Sequence, residues 1–329
     1  MERAYPAAGS VGGEPADARP EDRPPQADRR VILGCGNFGG IGSAPAFFCQ
    51  GETLEQALEL MDEAWEAGIT WFDTADAYGG GRSEACIGEW IRTRRPDGLR
   101  ITTKTFNPMA EGEDRGLAPD RVRRQIDTSL GRLGVERVDL YLSHAWDDDV
   151  PAAELAGVFE ELVDAGKIGA YGLSNVDGAR LSEALAAGSF TAVQDSYSLL
   201  DRDAEDEVLP LCAEHGLWFQ VHSPLMGGWL TGKYRRDAPA PEGSRMALRS
   251  GPYEHLRTDA VYDALEELER RGDPATLAFA WLLADERLSV VVGPRRAEQL
   301  QPALAALANP LTPEERDELS AEFRRTAES

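Results

Sequence analysis

From Val31 onward, short apolar runs alternate with longer stretches in which apolar residues return every three or four positions. The short runs Val31–Leu33, Thr70–Phe72, Arg100–Thr103, Val138–Ser143, Ala170–Leu173, Ala192–Gln194, Leu217–Val221 and Ser289–Val292 predict eight strands. Helical periodicity covers Leu54–Ala67, Glu84–Thr93, Asp120–Leu133, Ala152–Ala165, Ala179–Ala186, Ala204–His215, Pro274–Ala284 and Ala297–Leu307. Thr53 stands where an N-cap is needed, and Gly68, Gly134, Gly166 and Gly216 follow helix ends.

Strict alternation of strand and helix calls for parallel βαβ units. An open, doubly wound sheet would need a glycine-rich turn after the first strand that opens directly into a helix. Here Gly34-Cys35-Gly36-Asn37-Phe38-Gly39-Gly40 is followed by about thirteen loop-like residues before the helix at Thr53. The pattern therefore predicts a closed (β/α)₈ TIM barrel over residues 30–329, with extra helices at Ala260–Arg271 and Pro313–Arg325. A long segment from Met226 to Arg257, rich in Gly, Pro and Arg, sits on the face that carries the strand C-termini. Residues 1–29 are poor in large apolar side chains and read as a disordered, acidic and Pro-rich tail.

Composition narrows the class. A net charge of -24 disfavours nucleic acid as a partner, and no apolar run is long enough for a membrane helix. Cys35, Cys49, Cys86 and Cys212 show no C-x-x-C pair and no zinc-finger pattern with His, so no metal is expected and they read as reduced thiols of a cytoplasmic protein. A metal-dependent barrel hydrolase built on Asp73, His144 and His222 would need a ligand pair in the first strand, which offers none.

Barrel enzymes place their chemistry at strand C-termini. Those positions hold Asp73, with Tyr78 five residues on, then Lys104 and His144. A phenol with an ordinary pKa near 10 donates its proton poorly at neutral pH, and an adjacent ammonium lowers that value. Lys104 is placed to do this for Tyr78, Asp73 to hold Lys104 charged, and a neutral His144 to hydrogen-bond a substrate oxygen. Such a set protonates an alkoxide as it forms, which is what carbonyl reduction by hydride requires.

The stretches WFDTADAYGGGRSE (Trp71 to Glu84), ITTK (Ile101 to Lys104), LYLSH (Leu140 to His144), GKIGAYGLSN (Gly166 to Asn175), VQDSYSLLDR (Val193 to Arg202), SPLMGGWLTGKY (Ser223 to Tyr234) and VVVGPRRAEQL (Val290 to Leu300) resemble, in order, the aldo-keto reductases. The resemblance implies a catalytic tetrad of Asp73, Tyr78, Lys104 and His144, with Tyr78 as general acid and base, and NADPH in preference to NADH. It implies that Ser174, Asn175 and Gln194 hold the nicotinamide carboxamide and that His222 takes the place of a stacked aromatic ring. Ser223, Leu225, Gly227 and Lys233 would hold the pyrophosphate, and Arg245 would reach the cofactor. Gly293, Arg295 and Gln299, with Arg296 beside them, would meet the adenosine end, where guanidinium suits a 2′-phosphate. Pro302 and Ala303 depart from the family's adenine-contacting pair, and the hairpin that closes the barrel bottom is reduced to Asp28-Arg29-Arg30. Phe38 and Trp146 are expected to wall a substrate pocket beside Tyr78 and His144, with Tyr197 and the Met226–Arg257 segment covering it. The expected partner is a small carbonyl or sugar substrate. A second reading is a cofactor-binding regulatory protein resembling the potassium-channel β-subunits.

Overall fold

The structure is a computed structural model that describes residues 29–110, 112 and 115–327. Apart from Arg29, the expected tail over residues 1–29 lies outside the described residues. Eight parallel strands close into a barrel in sequence order. They are β1 (Val31–Gly34), β2 (Trp71–Asp73), β3 (Arg100–Thr105), β4 (Val138–Ser143), β5 (Ile168–Ser174), β6 (Ala192–Ser196), β7 (Trp218–His222) and β8 (Leu288–Val292). The outer layer holds α1 (Leu54–Glu66), α2 (Arg82–Arg94), α3 (Pro119–Leu133), α4 (Ala152–Asp164), α5 (Gly178–Ala187) and α6 (Val208–His215). After β7 come the short α7 (Arg245–Leu248), then α8 (Asp259–Arg271) and α9 (Pro274–Leu283); α10 (Gln301–Ala308) and α11 (Pro313–Ala327) follow β8. No helix among the described residues is long and apolar enough to cross a membrane.

Local signals explain most element ends. Thr53 and Gln56 form a reciprocal capping box that starts α1. Two predicted helices are divided: a 3₁₀ turn at Asp203–Glu205 precedes α6, and another at Ala297–Leu300 precedes α10. Pro302 supplies no N–H, so it fits the first turn of α10 but not a helix interior. The Met226–Arg257 segment is ordered by a 3₁₀ run at Met226–Thr231, by α7 and by a second 3₁₀ run at Gly251–Leu256.

Alternation along the strands divides the core in two. Outward-facing residues such as Leu33, Phe72, Tyr141, Val193 and Phe219 pack under the helices. Inward-facing Ile32, Trp71, Leu140, Leu142, Ala192 and Val291 fill the barrel interior with Ala170 and Trp218. Trp71 and Trp218 meet edge to face at 4.8 Å, and Arg29 lies 5.0 Å over the Trp218 ring. Arg30 donates to the carbonyls of Leu283, Asp285 and Leu288. These contacts lie at the N-terminal end of the barrel, where Arg29 and Arg30 lead into β1.

Two residues further along the same strands, inward positions become polar: Asp73 follows Trp71, Gln194 follows Ala192 and Gln220 follows Trp218. Period-two geometry thus stacks a polar layer on an apolar one. The parallel register of Asp73 with Thr102, and of Lys104 with Leu142, brings Asp73 and Lys104 together on neighbouring strands.

One close approach outside the barrel depends on a missing side chain. A Cβ on Gly88 of α2 would lie 2.1 Å from the carbonyl oxygen of Arg132 in α3. Gly88→Ala is expected to lower stability by about 1–3 kcal/mol through overpacking, read as a lower denaturant midpoint with an unchanged slope.

Candidate active site

Tyr78 begins a 3₁₀ turn just beyond β2, followed by Gly79, Gly80 and Gly81 with φ of 59°, 66° and 85°. A Cβ on Gly79 would come within 2.8 Å of the Phe38 carbonyl, so both its conformation and its surroundings demand glycine. This tight run sets the phenol at the mouth of the barrel. Buried polar side chains brace it from behind: Thr74 bonds Ser83 (2.7 Å), and Ser83 donates to the Cys35 carbonyl (2.9 Å). Glu84 accepts from Thr103 (2.7 Å) and Arg132 (3.0 Å).

The structure brings Asp73, Tyr78, Lys104 and His144 together. Lys104 is fully buried and donates to Asp73 Oδ1 at 2.5 Å and to the Thr74 carbonyl at 2.9 Å. Its ammonium lies 5.1 Å from the centroid of the Tyr78 ring. Tyr78 Oη is 3.5 Å from His144 Nε2, with the rings edge to face at 5.3 Å. Burial works to lower the Lys104 pKa, but Asp73 and Tyr78 outweigh it and hold the ammonium above its ordinary value. Burial raises the Tyr78 pKa, and Lys104 only partly offsets this. The expected net lowering of Tyr78 is therefore corrected: desolvation exceeds the pull of an ammonium already shared with Asp73. His144 is driven well below its usual value by burial, Lys104 and His222, so its ring is neutral at pH 7.

Asn107, two residues past β3, bears on the His144 tautomer through a contact between its Nδ2 and His144 Nδ1 (3.3 Å). An amide N–H can only donate, so Nδ1 accepts and Nε2 carries the proton that faces Tyr78. Buried Arg121 holds the same loop by donating to the Asn107 carbonyl (2.8 Å) and to Thr105 Oγ1 (2.9 Å). Asn107 was not among the expected site residues, although a polar residue just beyond a barrel strand is a signal that could have found it.

Ser174, Asn175, Gln194 and His222 line the same cavity of about 1170 Å³. Gln194 donates to Asp73 Oδ2 and to Gln220, both at 2.7 Å, which among the described residues leaves its own oxygen free to accept. Asn175 donates to the His144 carbonyl (2.8 Å) and accepts from His222 Nε2 (3.1 Å). His222 is also 3.2 Å from Ser223 Oγ. Burial and Lys104 push its pKa down to about 4, so both imidazoles of the site are neutral. Asn175 and Ser223 have left-handed φ of 56° and 54°, uncommon for residues other than glycine and frequent at functional sites.

Ser223, Leu225, Gly227, Arg245, Gly293, Arg295 and Gln299 also line the cavity. The segment after β7 folds over it, and Arg245 ties that segment to the β1–α1 connection through Asn37 Oδ1 (2.6 Å). Lys233 stands beside this group; burial first, then Arg245 and Arg295, lower its pKa. A cavity edged by such cations, with a free amide oxygen and neutral imidazoles next to Tyr78, fits an elongated anionic cofactor with a polar headgroup.

Several expected positions are corrected. Phe38 is wholly buried in the core beneath the helices, because its strand-end turn points it outward from the barrel axis. Trp146 packs half-buried on the same core and does not line the cavity. Tyr197 is buried against Phe219 and Trp281 with its hydroxyl on Glu205, away from the site. The Arg296 side chain is 76% exposed near Glu298 and leaves the cavity to Arg295. Pro302 lines the cavity, whereas Ala303, one helical step on, is in the core.

Comparison with known proteins agrees with this architecture. The chain is 33% identical over 297 residues to an NADH-specific methylglyoxal reductase of Escherichia coli, covering 84% of this chain and 89% of that one. It is 30% identical over 282 residues to an NADP(+) aldo-keto reductase of Schizosaccharomyces pombe, with 82% of each covered. A solved glycerol dehydrogenase of Gluconobacter oxydans superposes with a TM-score of 0.77 at 25% identity, over 90% of this chain and 91% of that one. The model of the Aldo/keto reductase family matches residues 30–321. With its closed barrel and this match over nearly the whole described fold, the chain belongs to the aldo/keto reductase family.

Proposed function

We propose that the protein reduces a small, polar aldehyde or ketone to an alcohol with a nicotinamide dinucleotide, Tyr78 acting as the proton donor. The observation that carries this reading is the convergence of a buried Asp73–Lys104 pair, the Tyr78 phenol and a neutral His144 on one cavity. When bound, the cofactor supplies the hydride that the carbonyl carbon accepts. Ser174, Asn175 and the free oxygen of Gln194 would hold its carboxamide, and His222 would lie against its ring. Lys233, Arg245 and Arg295 would meet its phosphates.

The residues of the chain divide the remaining work. His144 Nε2–H hydrogen-bonds the carbonyl oxygen and aligns it with Tyr78. As charge builds on that oxygen, Tyr78 gives up its proton, and Lys104 stabilises the phenolate left behind. Asp73 keeps Lys104 in place. With Phe38, Trp146 and Tyr197 outside the cavity, the lining residues that bear on Tyr78 and His144 include Gly36, Asn107 and His222. That half-polar lining suits a compact oxygen-rich substrate better than a large apolar one. The relatives named for methylglyoxal and glycerol chemistry support the same class. Oxidation of NADH or NADPH by methylglyoxal, glyceraldehyde and a panel of larger ketones tests it; no turnover with any of them would move the chain to the regulatory reading.

Tyr78→Phe is expected to lower kcat by about 10²–10⁴-fold, with the cofactor Kd changed less than about twofold because the ring remains. A fluorescence titration beside the steady-state assay checks both. Asn107→Leu should reduce kcat about tenfold with little change in cofactor affinity, since it frees the His144 proton to sit on either nitrogen. Because the Tyr78 pKa lies above its ordinary value, carbonyl reduction should be flat with pH from about 6 to 9. Alcohol oxidation, which needs the phenolate as base, should still be rising at the alkaline end of that range. A pH–rate profile run in both directions measures the contrast.

A further inference from the structure

Glu52 lies on the β1–α1 connection, where its N–H donates to the Asn37 carbonyl (2.9 Å) and its own carbonyl accepts from Gly39 (2.8 Å). Its side chain is 3% exposed, and Oε1 accepts from Nε of Arg295 at 2.7 Å. Oε2 is buried and has no hydrogen-bond partner among the described residues. Arg295 is pinned further by its Nη1 on the Gly243 carbonyl (3.3 Å) and by its N–H on Gln299 Oε1 (2.7 Å). It is the guanidinium of the Arg295–Arg296 pair that lines the cavity, and it arrives there already bound to a carboxylate.

Charge balance gives this pair its meaning. The pKa of Lys233 is lowered by burial and then by Arg245 and Arg295, and that of Arg245 by burial and then by Arg295 and Arg249. Burial raises the Glu52 carboxyl, and the guanidiniums of Arg295 and Arg245 oppose that rise. Arg249, Asp273 and Glu298 also line the cavity, but all three are exposed and screened by solvent, and Asp273 is engaged in capping α9. Three cations against one buried carboxylate match the doubly charged pyrophosphate common to NADH and NADPH. A 2′-phosphate would add about 1.5–2 negative charges. It would meet an arginine whose Nε is taken and a buried carboxylate with one oxygen uncompensated.

We propose that Glu52 sets the cofactor preference of this site toward NADH, by occupying Arg295 and placing a fixed negative charge where a 2′-phosphate would seek it. This rests on the reading of the cavity as a nicotinamide dinucleotide site. It replaces the NADPH preference that the two adjacent arginines imply in sequence.

The test is a pair of fluorescence titrations, NADH and NADPH, on the full chain and on Glu52→Gln. The wild-type protein should bind NADH more tightly. Glu52→Gln keeps the shape and removes the charge, so the NADPH Kd should fall about tenfold while the NADH Kd stays within about twofold. Adding Arg295→Ala to Glu52→Gln should abolish that gain. A parallel measurement needs no variant: adenosine 2′,5′-bisphosphate should compete with NADH no better than 5′-AMP does on the wild-type protein, and it decides the matter if Glu52→Gln does not fold. Tighter NADPH binding by the wild type, equal shifts for both cofactors in Glu52→Gln, or clearly better competition by the bisphosphate would overturn the proposal. Failure of the wild type to bind either dinucleotide would instead bring down the underlying reading of the cavity, and the proposal with it.

Discussion

A lysine ammonium with no exposure to solvent, held by an aspartate on the next strand, is the constraint around which this molecule is arranged. Taking both charges out of water costs several kcal/mol per ion, and removing either partner would leave the other uncompensated, at about 3–5 kcal/mol. Such a pair persists only where hydrogen bonds complete it. Asp73 accepts from Gln194 as well as Lys104, and Lys104 donates to the Thr74 carbonyl. Gln194 in turn donates to Gln220, which carries the network across to β7. The polar layer is thus continuous over four strands and fixes how the barrel mouth closes.

The same layer sets the electrostatics of the site. Lys104 is the positive charge that helps drive His144 and His222 toward their neutral forms, after burial, and it is also the charge that opposes the desolvation of Tyr78. One buried cation therefore keeps two imidazoles available as hydrogen-bond partners and gives a departing phenolic proton a stabilised phenolate. Beneath it, Trp71 and Trp218 fill the barrel interior with apolar surface. The division of labour is a consequence of period-two geometry: one face of a strand serves the helices, and on β2, β6 and β7 the inward face changes from apolar to polar within two residues.

The loops carry the second electrostatic centre. Arg245 and Arg295 come from connections far apart in the chain, yet both are anchored on the β1–α1 connection, through Asn37 and Glu52. Neither anchor has a sequence signature of its own. Glu52 precedes the helix-capping Thr53, where an acidic residue is ordinarily explained by the helix dipole. Its pairing with Arg295, 243 positions away, exists only because a closed barrel places β1 beside β8.

What the chain determined by itself is what short-range physics controls. Alternating periods of two and 3.6 mark the strands and helices, glycines and Thr53 mark helix ends, and the order of elements admits few topologies besides a closed parallel barrel. Asp73, Lys104 and His144 were legible because strand C-termini converge in any such barrel, and Tyr78 because a glycine-rich turn follows β2 directly. Side-chain direction was decided only in three dimensions. Phe38, Trp146 and Tyr197 are aromatic residues near strand ends, and nothing local tells an inward ring from one that packs under a helix. Arg295 and Arg296 are adjacent in sequence and opposite in fate, one facing the cavity and the other solvent. The net proton affinity of Tyr78 likewise depends on how much water its neighbours exclude, and that quantity belongs to the packed fold rather than to any segment of the chain.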